Sequence, residues 1–142
     1  MRAVAVVIAA LLTCCAPHRA PVGDAAAQIR LVLNDQVEAW NAGDLDGYMK
    51  GYWRSDSLSF HGGTRLISGW DSLHAMYASA YPGERRGRLA FTDVDVSILC
   101  EDAAWVRGRW NVELPDTVRS GRFTLIFRRT GDGWRIVHDH SS

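Results

Sequence analysis

The stretch DVDVSILCEDAAWVRGRWNVEL, residues 93–114, decides how this chain reads. In its first half Val94, Val96, Ile98 and Cys100 alternate with Asp93, Asp95 and Ser97. In its second, Ala104, Val106, Trp110, Val112 and Leu114 alternate with Arg107, Arg109, Asn111 and Glu113. Successive side chains of a strand point to opposite faces, so a sustained period of two predicts long strands with one apolar face. The pattern continues forward. Phe123, Leu125 and Phe127 alternate with Arg122, Thr124 and Arg128, and a turn at Gly131-Asp132-Gly133 leads into one more strand. Strict alternation there puts Trp134, Ile136, His138 and His140 on the inner face and Asp139 on the outer one. Four long antiparallel strands, polar on one side, are expected.

Upstream of residue 89 the period is helical. Asp24 is placed to cap a helix in which Ile29, Leu33, Val37 and Trp40 share a face. Gly43 reads as its left-handed stop, and Asp44 as the cap of a second helix carrying Leu45, Tyr48, Met49 and Tyr52. Leu58 and Phe60 suggest a short strand closed by Gly62-Gly63. Ser68 is expected to cap a third helix with Trp70, Leu73, Tyr77 and Ala80, ended by Pro82-Gly83. Helices first and a meander afterwards make an α+β domain over residues 24–142.

Sixteen basic and sixteen acidic residues cancel, which argues against a nucleic-acid binder. A hydrophobic fraction of 47% is enough to build a core in 142 residues. Cys14, Cys15 and Cys100 are too few for a disulfide framework. At the start, Arg2 precedes an apolar run over residues 3–12, too short to span a bilayer as a helix and the right length for an export signal. The run ends in Leu12-Thr13-Cys14-Cys15, which resembles a bacterial lipobox with Cys15 as the lipidated residue. Residues 1–15 are thus expected to be a leader and 16–23 a tether. An ordinary signal cleaved before Pro21 is the alternative. Both predict an exported protein, held at the cell envelope by lipid in the first case.

Three segments carry a family resemblance: AWNAGDLDGY (39–48), SGWDSLHAMYASAYP (68–82) and GWRIVHDHSS (133–142). Together with the element order they resemble the nuclear transport factor 2-like superfamily. It includes ketosteroid isomerases, SnoaL-like polyketide cyclases and the association domain of calcium/calmodulin-dependent kinase II, whose terminal strand the third segment is similar to. The resemblance implies a cone in which N-terminal helices pack on a curved antiparallel sheet around a pocket. It does not imply isomerase chemistry. That chemistry needs a carboxylate base and a Tyr–Asp oxyanion hole, and the corresponding positions hold Gln36, Phe60 (or His61) and Leu125.

The expected pocket residues are Gln36, Trp40, Tyr48, Tyr52, Phe60, Trp110, Phe123 and Leu125, with His138 and His140 as ligand anchors or as candidate general bases. Satisfied core histidines are the plainer reading of that pair. Arg109 is similar in position to a pocket arginine of the kinase association domain, although strand alternation places it on the solvated face. His-x-His on one strand has no clustered third metal ligand, and no metal or cofactor is expected. Three functions remain open. One is binding of a small apolar or aromatic molecule, which could carry a carboxylate. Another is a lyase, isomerase or hydrolase using a terminal-strand histidine. The third is a non-catalytic dimerisation module. A homodimer is expected, with membrane contact only through the lipid.

Overall fold

The computed structural model describes residues 22–142. The expected leader, Cys15 and nearly all of the expected tether lie outside these residues. Helix α1 (Val22–Asn41) starts before Asp24, so Asp24 sits in its first turn and accepts a hydrogen bond from Gln28 Nε2 at 2.9 Å. The fully buried stripe runs through Ala25, Ile29, Leu33, Gln36 and Trp40, with Val37 half-buried at its edge. The helix stops at Gly43, whose φ of +80° is a backbone state that glycine reaches without a Cβ clash. Asp44 then caps α2 (Leu45–Met49), its Oδ1 accepting from the Gly47 amide at 2.7 Å.

A hairpin of β1 (Ser59–Gly62) and β2 (Arg65–Ser68) follows. The second strand was not expected from the sequence, and Ser68 closes it instead of capping a helix. Helix α3 (Trp70–Ala80) begins after Gly69, which has φ +89°. A 3-10 turn at Gly83–Arg86 leads to β3 (Arg88–Cys100), β4 (Ala103–Leu114), β5 (Thr117–Thr130) and β6 (Gly133–Ser141). The six strands form one sheet in the order β2-β1-β6-β5-β4-β3, antiparallel throughout except where β1 runs parallel to β6. None of the described helices is long and apolar enough to cross a membrane.

The three helices cover one face of the sheet. Ile29, Met49, Leu58, Leu73, Phe127 and Trp134 are almost completely buried between the layers and fill one end of the cone. Each such side chain contributes roughly 1.5–3 kcal/mol on removal from water. At the β3 edge of the sheet, α1 reaches the strand's backbone directly. Asn41 donates to Leu89 O at 3.0 Å and accepts from Leu89 N at 2.8 Å, and Arg30 donates to Val94 O at 3.2 Å.

Bulges curve the sheet and set which side chains face inward. On β3 the pairing with β4 skips between Thr92 and Asp95, where Asp93 takes φ +54°. On β6, Phe127 pairs with Ile136 while its neighbour Ile126 pairs with His138, leaving Val137 as an extra residue. That single residue corrects the expectation for the terminal strand. Trp134 and Ile136 face inward as expected, but beyond Val137 the phase is inverted. Asp139 is buried at 3% exposure, His140 is exposed and His138 is half-buried.

Candidate active-site cavity

Toward the other end of the cone the layers part around a cavity of about 410 Å³, within the size range of small-molecule sites. Gln36 and Trp40 reach its wall from α1, Tyr48 from α2, and Tyr52 from the segment after it. Phe60, Trp110, Phe123 and Leu125 line it from the sheet. The cavity thus brings together eight of the eleven expected pocket residues. Gln36, Phe60 and Leu125, which stand where the isomerases carry their catalytic groups, are all on this wall, and none is an acid or a phenol.

Three expected residues are elsewhere. Arg109 is exposed on the outer face, paired with Thr92 and Arg122, because β4 keeps an unbroken alternation with Trp110 inward. His138 and His140 gather with His61 on the outer side of the sheet, their ring centroids 5.2 and 6.1 Å from that of His61. His138 Nδ1 lies 2.7 Å from Ser59 Oγ. Partial burial, and then the neighbouring His61 and His140, lower its pKa from the usual 6.5.

The inverted phase of β6 puts Asp139 and Ser141 on the cavity wall in their place. Tyr52 donates its phenolic proton to Asp139 Oδ2 at 2.8 Å, and Ser141 Oγ donates to Oδ1 at 2.7 Å. The hydroxyls of Tyr48, Tyr52 and Tyr77 lie 3.3–3.4 Å from one another. Because Tyr52 spends its one proton on the carboxylate, its oxygen accepts from its neighbours. A consistent orientation runs Tyr48 to Tyr77, Tyr77 to Tyr52, and Tyr52 to Asp139. Edge-on aromatic contacts hold the phenols in place, with ring centroids 5.0 Å apart for Trp40–Tyr48 and 5.3 Å for Tyr48–Tyr77. Gln36 fixes the end of α2 by donating to Tyr48 O at 3.1 Å. Gly51 makes room for it, since a Cβ there would sit 2.5 Å from the Gln36 amide carbon.

Burial disfavours the carboxylate and pushes Asp139 up from 3.8 to about 6, while the hydrogen bonds from Ser141 and Tyr52 and the His140 charge hold it down. Burial, with the charge of Asp139 behind it, pushes Tyr48 up to about 12. Tyr52 and Tyr77 are likewise raised well above 10 by burial, so all three phenols are neutral donors at pH 7. The arrangement offers a carboxyl that exchanges a proton near neutrality and a chain of phenols that relays it, since with every phenolic proton engaged the Tyr52 oxygen can take a ligand's proton as it passes its own to Asp139. Sequence reasoning missed Asp139, Ser141, Tyr77 and Tyr81. Tyr77 and Tyr81 also line the cavity, and Tyr48/Tyr52 and Tyr77/Tyr81 are both pairs at four-residue spacing that begin in a helix and end just past it, a signal the sequence carries.

The chain belongs to the SnoaL-like domain family, which matches residues 29–142. It is 39% identical to a nuclear transport factor 2-like protein of unknown function from Shewanella oneidensis, with a TM-score of 0.79 over 82% of this chain and 98% of that one. A nuclear transport factor 2-like superfamily protein from Salmonella enterica superposes with a TM-score of 0.72 at 18% identity, over 86% of this chain and 92% of that one. A putative scytalone dehydratase from Novosphingobium aromaticivorans does so at 0.69 and 9% identity, over 82% and 81%, which speaks for the fold alone. No curated protein matches the sequence.

Proposed function

We propose that the cavity binds a small, largely apolar or aromatic molecule through a hydroxyl or carbonyl oxygen, and that Tyr52 and Asp139 exchange a proton with it. The observation that carries this reading is the carboxyl of Asp139, buried in the wall of an aromatic cavity, hydrogen-bonded by Tyr52 and titrating at about 6. A carboxyl used only for structure gains nothing from facing a cavity, whereas a proton-transfer group needs both access and a pKa near the working pH. A terminal-strand histidine as the base loses its support, because His138 and His140 do not line the cavity. The protein is further proposed to be exported, to be anchored through Cys15 at the cell envelope, and to form a homodimer. The outer face of the sheet, where Leu66 and Ile126 are exposed, would be the surface joining two copies.

The test is an NMR titration of the unlipidated domain with 2-naphthol, a flat molecule with one hydroxyl. Ring signals of Tyr52, Tyr77 and Trp110 should shift with saturation, and Asp139→Asn should weaken binding at least several-fold. Shifts confined to the outer face, or none, would overturn the reading.

A further inference from the structure

Two arginines lie on the cavity wall that the phenol–carboxylate cluster leaves unused, Arg65 and Arg119. Strand phase puts both on the inner side. Arg119 shares the phase of Phe123 and Leu125 on β5, and Arg65 pairs with Gly62, which shares the phase of the buried Phe60 on β1. Both are exposed, whereas Tyr52 and Asp139 are buried, so the arginines stand at the rim and the polar cluster at depth. Neither makes an ion pair among the described residues, where three pairs are Arg54–Asp71, His74–Asp46 and Arg107–Asp95. Exposed arginines are ordinary, and what sets these two apart is that strand phase turns both toward the cavity mouth.

We infer that the rim formed by Arg65 and Arg119 is an anion subsite, and that the ligand is an amphipathic ring compound carrying a carboxylate. This rests on the proposed function above, and it fixes which way round the molecule enters. Asp139 at depth would repel an anion at any pH where it is ionised, so the carboxylate must stay at the rim. The hydroxyl or carbonyl oxygen then points inward to Tyr52. The sheet register gives the span. Asp139 stands beside both Phe60 and Leu125. Arg65, opposite Gly62, is one inward-facing position further out, and Arg119 is three. At ~3.4 Å per residue these steps are ~7 and ~20 Å along the strands. A two-ring body holds its carboxylate at the inner end of that interval, where Arg65 stands, and Arg119 attracts it from further out along the same cavity wall. The guanidinium fork suits a carboxylate because it offers two parallel N–H donors.

The experiment compares 6-hydroxy-2-naphthoate with 2-naphthol, which differ only by the carboxylate, on the same domain at pH 7.5. The naphthoate should bind at least 10-fold more tightly. That advantage should shrink several-fold in Arg65→Gln or Arg119→Gln, vanish in the double variant, and fall with added salt. Binding of 2-naphthol should be unchanged in all of them. Arg109→Gln, on the outer face, should leave both affinities as they are. Equal binding of the two compounds to the wild type, or an advantage that survives in the double variant, overturns the subsite while leaving the cavity reading standing. If neither compound binds, the cavity reading has failed and the subsite falls with it.

Discussion

At the scale of single residues, Asp139 makes the site measurable through stability. Its carboxyl is 3% exposed and titrates at about 6 in the fold, against 3.8 unperturbed. Between those values the folded chain holds a proton that the unfolded chain has released, so protonation favours the fold. The contribution is fully present below pH 4 and is lost as the pH rises through 6. Two pK units correspond to about 3 kcal/mol. In Asp139→Asn the amide stays neutral, and the hydroxyls of Tyr52 and Ser141 can rotate to suit it. Urea denaturation at pH 4, 5, 6 and 7 should show the variant gaining steadily on the wild type, by up to about 3 kcal/mol at pH 7. A difference that does not change with pH would refute the assigned burial of a charge.

Tyr52 tests the same carboxyl from the other side. Its hydrogen bond at 2.8 Å favours the ionised form and lowers the Asp139 pKa. Tyr52→Phe removes that donor and leaves the burial in place, so the pKa should rise above 6. A carboxyl-carbon NMR titration reads this directly. A fall, or no change, would mean that the phenol does not serve the carboxylate.

Single elements show where sequence pattern suffices and where it fails. The long strands were legible because Val94 to Leu114 and Phe123 to Phe127 repeat the same alternation many times, so no one residue decides it. The junction at Gly43-Asp44 was legible because only glycine takes that backbone state cheaply and Asp caps the next turn. Strand β2 was missed because four residues, Arg65 to Ser68, carry too little period to register. The candidate site was half legible. Its aromatic wall follows from helix and strand phase, but its acid does not. Val137 bulges because of how β6 meets β5, and its side chain is an ordinary strand residue that gives no warning.

Elements also depend on missing side chains. Gly108 faces Phe123 across β4 and β5, and a Cβ there would come 2.5 Å from the ring. Gly108→Ala must therefore displace Phe123, at a cost of about 1–3 kcal/mol. Phe123 also lines the cavity, so the variant should lose affinity for 2-naphthol along with stability. Unchanged denaturation and unchanged binding together would show that the two strands are not packed as described.

For the whole molecule, the proposed address can be tested apart from the domain. If Cys15 is the lipidated residue, wild-type protein should partition into detergent, and Cys15→Ser should remain in the aqueous phase with the same fold. A mature N-terminus at Pro21 without lipid would sink the anchoring proposal. No ketosteroid isomerisation is expected, because Gln36, Phe60 and Leu125 supply neither the base nor the oxyanion hole at those positions. Turnover of a β,γ-unsaturated ketosteroid at about 1 per second or faster would contradict that.

Helix α1 has one more role, and it concerns solubility. Strand β3 is one of the two edge strands of the sheet and much the longer, and its outward backbone groups would otherwise be free to pair with a strand from another molecule. The side-chain amide of Asn41 fills the donor and acceptor of Leu89, imitating the neighbour that the sheet lacks, and Arg30 covers Val94 further along. Protection of this edge against edge-to-edge aggregation is thus held by two side chains of a helix. A purified Asn41→Leu protein should lose clarity on concentration or prolonged storage well before it loses its fold, and the failure should come faster the higher the protein concentration.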